Sequence, residues 1–336
     1  MSMRKVTSLE VAALAGVSQS AVSRVFSGAS ASAKTAEKVR KAAQELGYRP
    51  NVLARSLITG RSRIIGLVVA YLDNQFYPVA LERLSHALQE EGYHIMIFMA
   101  SGRGPDVDRV INELLDHQVD GIITASVGLT DALTARCEAA GIPVVLFNRG
   151  QENSRASEVT SDNLRGGQKI AEFLAAGGHK RIGHISGWSG SSTGRDRARG
   201  FRDGLAACDM SPVAQIDGMY TRDGASEATR HMVMEHKVDS IFAGNDHMAF
   251  AVMDTLRDEI GLGVPQDVSV VGYDDVPMAA WSAYDLTSVR QPVGQLIRAT
   301  VRVLLDLIAG HETPQFTQIE GPLILRSSAR IPKGWT

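Results

Sequence analysis

The side chains in this chain able to do chemistry are polar residues that directly follow short apolar runs. Asp73 comes after "IIGLVVA", Asn148 and Arg149 after "PVVLF", Asp162 after "SEVTS", Asn245 and Asp246 after "SIFAG", and Asp274 and Asp275 after "VSVVGY". Carboxylates and amides donate and accept at the spacing of vicinal hydroxyls, and an aromatic such as Tyr220 or Trp281 can cover the apolar face of a sugar ring. Each acid alone is equally a loop or helix cap. Reaction machinery is not assembled from the same residues. "GWSGSSTGR" (187–195) completes neither a phosphate loop nor a nucleophile elbow. "HMVMEH" (231–236) turns its two histidines about 140° apart on a helix, away from a shared metal. Asp274 and Asp275 are loop neighbours with no nucleophile beside them. The pattern predicts binding rather than catalysis, with no metal and no cofactor.

Residues so far apart in sequence must be brought together by a repeating scaffold. Apolar runs at 64–70, 94–100, 121–126, 143–148, 181–186, 240–244 and 268–273 alternate with helix-like stretches. Strands buried on both faces and separated by helices predict parallel sheets in an α/β fold, with ligands beyond the carboxyl ends of the strands. About 270 residues is large for one such core, and the rhythm pauses near residues 157–162, which predicts two similar subdomains. Cys137 and Cys208 lack metal or disulfide spacing and are expected as buried thiols. The N-terminus carries no apolar stretch of signal type, and no later stretch matches a membrane span, so a cytoplasmic protein with no membrane partner is expected.

Charge divides the chain unevenly. Residues 1–63 hold eleven basic against three acidic side chains, net +8, while the rest holds 24 against 34, net −10. Such a basic head on an acidic body is the asymmetry of a nucleic-acid-binding module. Within it, Thr7-Ser-Leu-Glu10 has the form of a capping box, Gly16 stops the first helix, and Ser18 caps a second. Val11, Leu14, Val17, Ala21, Val22 and Val25 supply apolar faces, and Gln19, Ser20, Ser23 and Arg24 project from the other side. A third helix, 33–46, is capped by Ser32 and ended by Gly47. Two short helices meeting at a glycine predict a helix-turn-helix whose second helix enters the DNA major groove, with Arg24 on guanine and Lys5 and Lys34 on phosphates. Beyond Pro50, Asn51 can cap a short, marginal helix over 52–58 from which Leu57 would wedge into the minor groove.

The stretches "VTSLEVAALAGVSQSAVSRVFSG", "SAKTAEKVRKAAQELGYRPN" and "ARSLITGRSRIIGLVV" resemble the head and hinge of the lactose/galactose repressor (LacI/GalR) family. That resemblance implies a helix-turn-helix headpiece over 1–49, a hinge over 50–62 and a periplasmic-binding-protein-like effector core over 63–336. Within the core it implies an N-subdomain of 63–161 and 291–320 and a C-subdomain of 162–290 and 321–336, the chain crossing near 161, 290 and 320. Matched motif to motif, Gln19, Ser20 and Arg24 fall where the family reads bases and Leu57 falls on its minor-groove lever; Thr7, Ser18 and Ser23 in the headpiece and Asn51 and Ala54 in the hinge complete the DNA candidates. The resemblance adds Arg197, in "RDRARGF", to the effector candidates and supports Asn245 and Asp274. Many relatives carry an acid where this chain has Asn148, which weakens one hydroxyl acceptor. The implied partners are a palindromic double-stranded operator and a sugar or sugar derivative. With no leucine heptads after "GPLILRSSAR", a homodimer is expected rather than a tetramer. The competing expectation is a sugar-binding protein with a nonspecific basic tether, which would lack sequence preference.

Overall fold

A computed structural model describes residues 6–27, 30–49, 61–70, 72–100, 105–127, 131–151, 156–313 and 316–335. The chain forms two compact units, residues 1–63 and 64–336. Asn51, Ala54 and Leu57, with residues 50–60 of the expected hinge, lie outside the described residues, as does Lys5.

The small unit holds three helices, α1 (Ser8–Ala15), α2 (Gln19–Ser27) and α3 (Ala33–Leu46). The capping box at α1 is closed in both directions. The Thr7 hydroxyl accepts from the Glu10 amide at 3.4 Å, and the Thr7 amide donates to the Glu10 carboxylate at 2.8 Å. Gly16 and Gly47 end α1 and α3 at φ 65°, a left-handed backbone that costs glycine little. The Ser18 hydroxyl accepts from Ala21 N–H at 3.2 Å and starts α2. Val11, Ala12, Ala15, Val22, Val39, Ala42 and Ala43 form the core. Leu14, expected on the apolar face, is instead 47% exposed, and Leu9 is 63% exposed. Alanines 12 and 15 take the buried side of α1 because three helices this short meet closely only through small residues.

The large unit contains two six-stranded sheets. The first runs β11-β5-β4-β3-β1-β2, from β1 (Ile64–Val69), β2 (His94–Met99), β3 (Gly121–Ala125), β4 (Val144–Phe147), β5 (Ser157–Ser161) and β11 (Phe316–Ile319). The second runs β12-β10-β9-β8-β6-β7, from β6 (Ile182–Ser186), β7 (Ala214–Asp217), β8 (Ser240–Ala243), β9 (Ser269–Asp274), β10 (Thr287–Arg290) and β12 (Leu323–Ile324). Every described pairing is parallel except β10 with β12. Central strands such as β1, β3, β4, β8 and β9 are apolar and buried along nearly their whole length, as sheets covered by helices on both faces require. The chain leaves the first sheet after β5, returns after β10 through a helix at Val293–Ile308, and passes back between β11 and β12. The N-terminal head is thus all-α, and the body is a parallel α/β fold in two halves.

Cys137 is buried, but Cys208 is exposed, because it falls just past the helix at Ser192–Ala206 in a turn. Among the described residues no helix is long and apolar enough to cross a membrane.

Candidate functional site

The carboxyl ends of strands from both sheets meet around a cavity of about 120 Å³. Its walls include Asp73, Asn148, Arg149, Arg197, Tyr220, Asn245 and Asp274, seven of the eleven binding candidates named from the sequence. Asp162 is not among them. It caps the helix at Asn163–Ala176, its carboxylate accepting from Arg165 N–H at 2.9 Å, so the capping alternative holds at this position. Trp281 is 56% exposed and away from the cavity, so of the two aromatic candidates Tyr220 lines it, together with Phe76 and Tyr77.

The floor is an ion pair held in a frame. Arg197, on the helix at Ser192–Ala206, is 3% exposed. Its Nε donates to Asn163 Oδ1 at 2.9 Å, its Nη1 to the Gly244 carbonyl at 2.7 Å, and its Nη2 lies 3.4 Å from Asp274 Oδ1. The guanidinium also lies over the Tyr273 ring, 3.6 Å from its centroid. Gln291 Nε2 donates to the same Asp274 oxygen at 2.7 Å, and Gln291 Oε1 accepts from the Ser161 hydroxyl at 2.7 Å. Burial pushes the Asp274 carboxyl above the usual range, with the Arg197 charge pulling it back. Asp275 turns elsewhere, to Arg290 at 2.6 Å and Arg326 at 2.7 Å. These neighbours therefore form no acid/base pair.

Other walls keep polar atoms free. Asn245 caps the helix at Asp246–Asp254 by accepting from Met248 N–H at 3.0 Å, so its oxygen is spent and its amide NH₂ remains to donate. Asn148 Nδ2 reaches the Tyr77 hydroxyl at 3.4 Å, while its Oδ1 is buried without a partner. Arg149 donates through Nη1 to the Ser126 carbonyl at 2.7 Å, and its buried Nε has no partner. Tyr220 shares its hydroxyl with Ser191 at 3.3 Å and Thr193 at 3.2 Å. A Cβ on Gly187 would stand 1.9 Å from the Tyr220 ring, so glycine is what lets that ring close the wall. Asn148, Tyr220 and Asp274 hold positive φ of 64°, 60° and 121°. Non-glycine residues adopt such angles at a cost of roughly 1–3 kcal/mol each, and clustering of this strain is typical of ligand sites. Asp73 stands at the rim, its side chain 71% exposed and 4.0 Å from His247.

Sequence reasoning missed Tyr77, Thr193 and Gln291. Tyr77 is the second residue of the helix Phe76–Glu90, beyond the strand-end positions where the candidates lie. Thr193 lies in the stretch weighed as a phosphate loop and as a nucleophile elbow; that stretch is a helix start, Ser191 accepting from Gly194 N–H at 3.0 Å. Gln291 follows β10, whose "TSVR" is too short and polar to register as an apolar run. His231 and His236, expected to point apart, bring their rings to 5.4 Å where the helix at Arg222–His236 ends. Among the described residues no three metal-ligating side chains gather.

In the small unit, Ser18, Gln19, Ser20, Ser23 and Arg24 are all exposed on and before α2, and Thr7 is exposed at the start of α1. Gln19 Nε2 donates to the Ser8 hydroxyl at 3.0 Å, tying the two helices. The Thr7 hydroxyl also donates to the Glu10 carboxylate at 3.0 Å.

A helix-turn-helix head joined to a two-sheet core with a buried polar cavity defines a class, the DNA-binding transcriptional regulators with an effector core. Residues 8–51 match the family model of bacterial regulatory proteins, lacI family, and residues 171–329 that of the periplasmic binding protein-like domain. HTH-type transcriptional regulator CelR of Thermobifida fusca is 36% identical over 98% of this chain and 100% of its own length. HTH-type transcriptional repressor PurR of Vibrio parahaemolyticus is 30% identical over 96% and 98%. Among solved structures, the Lac repressor dimer bound to operator and the anti-inducer ONPF is 28% identical with a TM-score of 0.88, covering 97% of this chain and 99% of that one. A CelR–cellobiose complex is 33% identical with a TM-score of 0.74, covering 97% and 100%. The chain belongs to the lacI family of bacterial regulatory proteins.

Proposed function

We propose that this protein represses transcription by binding a palindromic operator as a homodimer in the cytoplasm, and that a sugar or sugar derivative held in the core cavity controls that binding. The headpiece spans 1–49, the hinge 50–62 and the effector core 63–336. Gln19, Ser20 and Arg24 read bases, with Thr7, Ser18 and Ser23 beside them and Asn51, Ala54 and Leu57 serving from the hinge. Asp274, Arg197 and Asn245 hold the effector hydroxyls, Asn148 and Arg149 meet it from the first sheet, Tyr220 covers its apolar face, and Asp73 stands at the mouth. The ligand leaves unchanged, since among the described residues no serine, cysteine, lysine or histidine lines the cavity.

The observation that carries this proposal is the convergence of strand-end residues from both sheets on one buried polar cavity. A relative whose solved complex contains cellobiose makes that disaccharide the first effector to try. Binding-site selection with the whole chain is expected to return one palindrome preferred about 10³-fold or more over random DNA. Fluorescence anisotropy on that operator, with cellobiose and a panel of sugars and sugar acids, should then show a shift in DNA affinity. Equal affinity for selected and random DNA would instead leave only the tethered sugar binder.

A further inference from the structure

A second cavity, of about 630 Å³, lies beside the effector site and shares Phe76 and Asp274 with it. Four arginines line it, against two aspartates. Both aspartates are already engaged, Asp275 by Arg290 and Arg326, and Asp274 by Arg197 and Gln291. Arg83 and Arg298 are left over. Neither has an ion pair or hydrogen bond among the described residues, and both are exposed to the groove. They come from different helices, Phe76–Glu90 and Val293–Ile308, yet their Nη1 atoms converge. A Cβ built on Gly294 would stand 3.7 Å from that of Arg83 and 3.6 Å from that of Arg298. Two unpaired guanidiniums brought together over a residue with no side chain repel each other, and an anion between them turns that repulsion into attraction. A tetrahedral oxyanion there can take a charge-assisted hydrogen bond from each at about 2.7–2.9 Å. The first turn of the helix at Val293 carries no acid and no side-chain cap, so it adds positive field and no competing carboxylate.

We infer that this groove is a second ligand site, taking the phosphate group of a small molecule between Arg83 and Arg298. The rest of such a ligand lies toward Arg290, which ends β10, and Arg326, just past β12, both in the half built on the other sheet, so one molecule touches both halves of the core. A ligand that binds both halves in one arrangement favours that arrangement over others, and its binding is coupled to the effector's in either direction. The inference does not depend on what the effector is.

The test is calorimetric titration of the full chain at fixed ionic strength, with inorganic phosphate in one arm and glycerol 3-phosphate, as a simple phosphate ester, in the other. Saturable binding in either arm is expected, and the stronger arm tells whether the groove takes the free ion or an ester. Arg83→Gln and Arg298→Gln should each weaken it about tenfold or more, as loss of a charged hydrogen bond does. Gly294→Asp should abolish it by placing a carboxylate between the guanidiniums. That substitution is compatible with the fold, because the space is open and both loss of a helical glycine and an acid in the first turn favour the helix, so its melting temperature without ligand should not fall. Arg199→Gln, on a different helix and away from the groove, should bind as the unaltered chain does. No saturable heat up to about 10 mM in either arm, or unchanged affinity in Arg83→Gln, Arg298→Gln and Gly294→Asp, would overturn the assignment.

Discussion

Asp274 serves two purposes that a single substitution cannot separate. It lies at the cavity wall and it is the carboxylate of a buried pair, so removing it strands the Arg197 guanidinium with only neutral partners. Asp274→Ala is therefore expected to cost about 3–5 kcal/mol of stability, read by urea unfolding, besides abolishing the effector response. A stability change under about 1 kcal/mol would mean that Asn163 and the Gly244 carbonyl suffice to hold Arg197. His184 makes a different kind of prediction. It is fully buried, stacked on Phe242 with centroids 4.6 Å apart, and burial, reinforced by the Arg202 charge, pushes its pKa down to about 3. Since the folded value lies below the unfolded 6.5, the unfolded chain binds the extra proton. The stability from neutral His184 is complete above pH 6.5 and drains away as pH falls toward 3, by about 2 kcal/mol between pH 7 and pH 5. Asp246 and Asp274, raised by burial, act in the opposite sense, so the useful quantity is a difference. His184→Leu should flatten the acid limb relative to the unaltered chain. Identical pH profiles for the two proteins would show that His184 is not what senses acid.

At the scale of elements, legibility follows the strength of the local signal. Helices α1 and α3 could be bounded from residues alone, because a capping box, Ser32 and two αL glycines punctuate them. The central strands were equally plain, since burial on both faces writes them as continuous apolar runs. Strands β7, β10, β11 and β12 were not, because "AQID", "TSVR", "FTQI" and "LI" are short, mostly mixed in polarity, and placed by their neighbours in the sheet. The site divides in the same way. Residues immediately after strong strands were found, whereas Gln291 follows a weak one and Thr193 and Tyr77 stand on helices. Asp162 failed because a carboxylate after a strand is also the usual start of a helix, and nothing local distinguishes the two roles. The cap of α1 permits a direct measurement. Thr7→Ala removes the hydroxyl half of the box and is expected to cost about 1 kcal/mol, seen as a lower melting temperature of the head. Its DNA affinity at a temperature where the head stays folded would report whether Thr7 also touches the operator.

For the whole molecule, a ligand can change DNA affinity only through a difference in its own affinity for two arrangements of the protein, so binding of DNA and binding of effector must be separable by mutation. Arg24→Ala and Tyr220→Ala are the pair that separates them. Arg24 is exposed on α2 in the small unit, and Tyr220 lines the cavity in the large one. Neither holds a buried ion pair among the described contacts, unlike Asp274. Arg24→Ala should lower discrimination at one base pair per half-site, by about 1–3 kcal/mol, and leave calorimetric effector affinity unchanged. Tyr220→Ala should retain operator affinity in the absence of effector and weaken effector binding at least tenfold, since it removes the aromatic wall that Gly187 makes room for. Light scattering at micromolar concentration should find each variant, like the unaltered chain, as a dimer. If Tyr220→Ala still responded at the same effector concentration, the cavity would not be where the signal enters. If it lost operator affinity without any effector present, the coupling would run through the fold of the core rather than through occupancy of the site.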